Sequence, residues 1–137
     1  MRSTPLVLSL SIVASFAFAA CTPVLSTPIA EIPKLKSLKE VMHNQATVAD
    51  PQWGKIGSDA YTDADYAAFA EVSERIGVTS LKIKDFTMGP DFDALAVRLH
   101  EKAEALGVAV KAKDLAGTSA ALKDMKATCK ECHSKFR

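Results

Sequence analysis

Charge of one sign is the first thing this sequence lacks: 17 Lys and Arg stand against 16 Asp and Glu in 137 residues. Residues 1–20 hold Arg2 and no acid, so the remainder balances at 16 of each. Nucleic-acid binding, which needs a basic footprint, is not expected, and zero net charge provides no strong overall steering field. No repeat or low-complexity tract breaks the chain into units, and its length suits one domain. No nucleophile–base pair or paired acidic site can be read, so the chain is not expected to be an enzyme. Cysteine is scarce too, three in all, and two of the three fall within the last nine residues.

The N-terminal stretch "MRSTPLVLSLSIVASFAFAAC" is set aside before the fold is considered. Arg2 gives a positive start, Pro5 to Phe18 an uncharged, mostly apolar run, and small residues follow at Ala17, Ala19 and Ala20. The run is too short for a membrane span and has no stop-transfer charges, so residues 1–20 read as an export signal. Cleavage has two candidate routes, an ordinary small-x-small site or a lipoprotein-type box, "FAAC", with Cys21 as the lipidated residue. Residues 21–33, with Pro23, Pro28 and Pro33, read as an extended tether.

Residues 34–137 are rich in helix formers, and their periodicity predicts four helices. The first runs from about Lys34, with Leu35, Leu38, Met42, Gln45 and Ala49 on one stripe. Pro51 interrupts it and caps a short continuation carrying Trp53 and Ile56. The second opens at the Thr62–Asp65 capping signal, presents Tyr66, Phe69, Val72 and Ile76, and is expected to end at Gly77. Val78–Pro90 reads as an ordered loop. The third starts near Asp91 and continues to about Asp114 in spite of Gly107, which costs about 1 kcal/mol relative to Ala. Gly117 and Thr118 are expected to break the chain, and the fourth helix runs from Ser119 to near the end. Four helices with short connections argue an all-α, antiparallel four-helix bundle with a cofactor between facing helices.

The fourth helix carries "CKECH". Cys129, Cys132 and His133 are spaced three and four apart, so they share one face. Two thiols can meet the vinyl groups of a haem while the imidazole reaches the iron, the pattern of c-type attachment. A redox dithiol belongs at a helix N-terminus, where the dipole lowers a thiol pKa; this pair is near a C-terminus. Zinc would need further ligands, for which His43, His100, Cys21 and scattered acids are the candidates. A disulfide within one helical turn would be strained. The export signal agrees with haem, which is attached covalently outside the cytoplasm.

A helical bundle with Cys-x-x-Cys-His near its C-terminus resembles the class II c-type cytochromes, the cytochrome c-prime family, over about residues 34–137. The resemblance implies one covalent haem c, a periplasmic location in a Gram-negative bacterium, and periplasmic redox proteins as partners. It implies a homodimer through the first two helices; the "FAAC" box separately implies membrane attachment if Cys21 is lipidated. The resemblance also matches Arg137, four after the haem histidine, to a basic residue near the proximal haem face, where it tunes the iron or holds a propionate. Met42 matches the distal ligand of the low-spin, methionine-ligated branch, and thioether–imidazole ligation suits electron transfer. Two positions depart from that branch: Leu38 stands where an arginine is frequent, and Pro51 where the first helix usually continues.

His43 is the alternative distal ligand, about 100° round the helix from Met42. Met125 shares the helix of His133 and is excluded; Met88 would have to fold over from its loop; His100 lies at the edge of its stripe. Trp53 and Tyr61 are read as core packing residues, with packing against the haem edge as the alternative. The resulting expectation is electron transfer with His133 and Met42 as axial ligands. Two alternatives stand beside it, a five-coordinate haem that binds nitric oxide or carbon monoxide, and a haem-free helical lipoprotein serving as an interaction module.

Overall fold

The computed structural model describes residues 27–137, so the export signal and Cys21 lie outside the described residues. The architecture is a four-helix bundle: α1 (Leu38–Ala49), α2 (Asp63–Ile83), α3 (Pro90–Lys111) and α4 (Leu115–Phe136). Val41, Phe69, Val72, Ile76, Ala103, Leu106, Leu122 and Met125 form its sealed centre. Cross-links show α2 and α3 antiparallel, Ser73 meeting Ala103 and Gly107 while Gly77 meets His100. The same holds for α3 and α4, joined at Phe92–Phe136, Arg98–Glu131 and Lys102–Asp124. Among the described residues no helix is long and apolar enough to cross a membrane.

The first helix begins at Leu38, four residues later than the periodicity suggested. Ser37 and Glu40 form a reciprocal capping box there, Ser37 Oγ accepting from the Glu40 N–H and the Glu40 carboxylate from the Ser37 N–H. The end of the stretch read as an extended tether is not free chain. Ile29–Lys34 forms a 3₁₀ turn with Ile32 fully buried. The buried Arg75 guanidinium donates to the Thr27 carbonyl at 2.6 Å and to Asn44 Oδ1 at 3.3 Å, fastening this segment to α1 and α2. The continuation past Pro51 is a 3₁₀ helix, Asp50–Lys55.

Gly77 does not end the second helix; α2 runs on to Ile83, through the first part of the expected loop. The missed turn buries Thr79 and Ser80 rather than two aliphatic residues. Their hydroxyls donate one turn back, Thr79 to the Arg75 carbonyl at 2.6 Å and Ser80 to the Gly77 carbonyl at 2.9 Å, so the helix buries polar groups with their hydrogen bonds satisfied. Only Lys84–Phe86 and the residues to Gly89 remain as a connection.

The break between α3 and α4 falls at Ala112–Asp114, ahead of Gly117. Lys113 takes the left-handed conformation (φ 50°) usually left to glycine. Its N–H meets the Val110 carbonyl and the next N–H, of Asp114, reaches the Ala109 carbonyl, both at 3.0 Å, which closes α3. Asp114 then caps α4 by accepting from the Gly117 N–H at 3.0 Å. A Cβ on Gly117 would lie 2.2 Å from the capping carboxylate, so this glycine starts a helix instead of stopping one.

Candidate functional site: an open side of the bundle

Three of the bundle's faces are closed by helix packing, α1 on α2, α2 on α3 and α3 on α4, but α1 and α4 scarcely touch. Between them lies a cleft of about 760 Å³, within the roughly 300–1,000 Å³ of small-molecule and cofactor sites. Leu38, Met42, Ala46 and Ala49 of α1 face it from one side; Cys129, Cys132, His133 and Phe136 of α4 face it from the other. Ile76 and Phe92 form its floor, both buried.

The motif's helical turn is held from outside the cleft. Glu131, between the two cysteines, is ion-paired with Arg98 of α3 and with Lys135 at 3.2 Å, and these contacts keep its carboxyl below the usual range, Lys135 foremost. Phe136 packs edge-on against Phe92, with ring centroids 5.2 Å apart. Both thiols are free and partly buried. Burial, then Cys132 and Asp50, push the Cys129 thiol up to about 11, and burial also raises Cys132. These are not the low-pKa thiols of a redox dithiol. His133 is exposed on the same cleft. Among the described residues there is no group of three or more His, Cys, Asp and Glu side chains suited to a metal ion.

The opposite wall orders the distal candidates. Met42 is partly buried and packs against the core, whereas His43 lines the cleft but is exposed. Met88, assigned to a loop that would have to fold over, does line the cleft and is 51% exposed. Met125 is fully buried in the core, and His100 Nδ1 donates to the Gly77 carbonyl, 2.9 Å away, outside the cleft lining. Tyr61 stacks edge-on with Phe69 and Tyr66 as a core residue. Trp53 packs against the core and also borders the cleft. Its indole N–H donates to Asp50 at 3.0 Å, and Lys126 lies over its ring.

Four cations also border the cleft, Lys39, Lys126, Lys130 and Arg137, and none has a carboxylate partner among the described residues. Asp50 is the only acid on the lining among the described residues. The balanced composition concealed this row, although positions 126, 130, 133 and 137 recur at helical spacing along one face of α4.

An unclosed helical face of cofactor size, with two free thiols and an imidazole on one wall, fits a covalently attached haem and defines a c-type haem protein on a helical bundle. Comparison with known proteins gives the particular family. The model of the cytochrome C' family matches residues 34–137, and the chain belongs to that family, whose members carry one covalent haem c. A cytochrome c' of Pararhodospirillum photometricum is 38% identical over 71 residues, which is 52% of this chain and 57% of that protein. The chain thus matches little more than half the length of this relative. No solved structure matches.

Proposed function

We propose that this protein is a periplasmic electron-transfer cytochrome in which Cys129 and Cys132 bind the haem as thioethers and His133 and Met42 are its axial ligands. The observation that carries the reading is the pairing of Met42 with His133 across one cleft, on the two helices that leave the bundle open. The haem supplies a one-electron couple. Cys129 and Cys132 fix its orientation, the Phe92–Phe136 contact and the Glu131 ion pairs hold the α4 wall still, and the apolar floor excludes water. A thioether opposite an imidazole favours the reduced state. The reading of residues 1–20 as an export signal supports the location. Arg137 and the three lysines at the cleft mouth favour a redox partner with an acidic face.

The second reading, a module that binds nitric oxide or carbon monoxide, is favoured by the family and by the apolar wall around Met42. In that reading the Met42 side chain lines the pocket without ligating.

The test is the absorption spectrum of the holoprotein, oxidised and reduced, beside that of Met42→Ala. Electron transfer with Met42 ligation predicts a low-spin spectrum with a weak sulfur-to-iron band at long wavelength that the substitution abolishes. A high-spin spectrum, indifferent to the substitution and altered by carbon monoxide, would establish gas binding instead. Low-spin character surviving in Met42→Ala would point to His43 or Met88.

A further inference from the structure

Beside the exposed Lys39 and His43, the cleft wall contributed by α1 carries one buried polar side chain. Gln45 shares the stripe of Leu38, Met42 and Ala49, lines the cleft, and is only 7% exposed. Burying an amide is costly unless it is hydrogen-bonded, and Gln45 has one such bond, Nε2 donating to Thr79 Oγ1 at 3.0 Å. Thr79 is fully buried, and its own hydrogen is committed to the Arg75 carbonyl at 2.6 Å. The threonine oxygen therefore acts as the acceptor, and the network assigns the amide with its nitrogen toward α2. One Nε2 hydrogen of Gln45 is left without a partner among the described residues, three positions from Met42 and on the same face of α1.

We propose that Gln45 is a positioning residue for the distal ligand, its free N–H donating to the Met42 thioether sulfur. Thr79 holds the amide in place for this bond. A thioether sulfur is a weak acceptor, and a hydrogen bond to it withdraws electron density from the iron, which favours the reduced form. The amide thus raises the reduction potential and ties the sulfur to one orientation. This inference rests on the reading of Met42 as ligand.

The experiment compares the holoprotein with Gln45→Leu, Gln45→Glu and Thr79→Val by spectroelectrochemical titration, absorption spectroscopy and urea unfolding. Both Gln45 variants lack the N–H donor, so either is informative if the other does not fold. The expected result is a lower potential and a shifted sulfur-to-iron band in the Gln45 variants, more so for Glu. Thr79→Val breaks the same buried hydrogen bond but retains the amide, so it loses comparable stability with a smaller change in potential. Gln45 variants that lose stability as Thr79→Val does, yet keep the wild-type potential and band, would overturn the proposal and leave Gln45 a purely structural link. A wild-type spectrum with no sulfur-to-iron band overturns the Met42 reading itself, and that is seen before any Gln45 variant is made.

Discussion

Gly107 is a helix-interior glycine whose replacement by alanine should destabilise the protein, against intrinsic propensity. It lies in α3 facing α2, where an added Cβ would sit 2.6 Å from Ser73 Oγ and 3.7 Å from Ser73 Cβ. That hydroxyl is not free to move, because it donates to the Ala103 carbonyl at 2.7 Å. Alanine gains about 1 kcal/mol of helix propensity. Displacing Ser73 loses a hydrogen bond of about 1 kcal/mol and forces a strained rotamer costing roughly 0.5–1.5 kcal/mol. The net is a loss of up to about 1.5 kcal/mol. In a Ser73→Ala background the oxygen is gone and the remaining 3.7 Å approach is ordinary contact, so the same substitution should stabilise by about 1 kcal/mol. Urea unfolding of the four proteins, with m unchanged, gives the coupling energy, expected at about 2 kcal/mol. Gly107→Ala stabilising equally in both backgrounds would refute the argument and leave the glycine unexplained.

Two further outcomes follow from charge. The Cys129 thiol titrates near 11 in the folded protein, above its ordinary value of 9.0, so between those values the folded state holds more protons than the unfolded one. Its contribution is complete below about pH 9 and is lost as the pH rises through 11, about 2–3 kcal/mol in all. Denaturant titrations of the haem-free, reduced protein across that window should show the decline, and Cys129→Ala should remove it; an unchanged slope in the variant would assign the decline elsewhere. At the cleft mouth, Lys39, Lys126, Lys130 and Arg137 outnumber Asp50. The holoprotein should therefore react faster with ferricyanide at low than at high ionic strength, and Lys126→Glu/Lys130→Glu should slow the low-salt reaction on the order of tenfold. A rate unaffected by salt or by the substitutions would remove the partner argument.

The number and order of helices were legible because all four carry apolar stripes in the sequence, and the clustering of Cys129, Cys132 and His133 on one cleft wall because they share a face at fixed spacing. The helix limits were less so. Thr79 and Ser80 bury hydroxyls that only a completed helix can satisfy, so the end of α2 looked like a loop. Lys113 adopts a conformation that its residue type does not advertise, and contacts from α2 accompany it, Asp63 pairing with its ammonium and the Tyr66 hydroxyl donating to its carbonyl. Gly117, the residue that did look like a terminator, makes room for the Asp114 cap. Within the site, Gln45 was visible on the stripe, but nothing in one sequence ties it to Thr79, 34 residues away. The cationic row was hidden by a composition that balances over the whole chain.

The open face between α1 and α4 has a consequence for how stability depends on supply. A group held there only by contact would stabilise the fold by mass action, in proportion to the logarithm of its free concentration. Dilution would then return the bundle to its three-sided state. Covalent attachment, here proposed through Cys129 and Cys132, would turn that association into an intramolecular one, with an effective concentration set by the tether alone. The fourth side of this bundle, once attached, is insured against dilution.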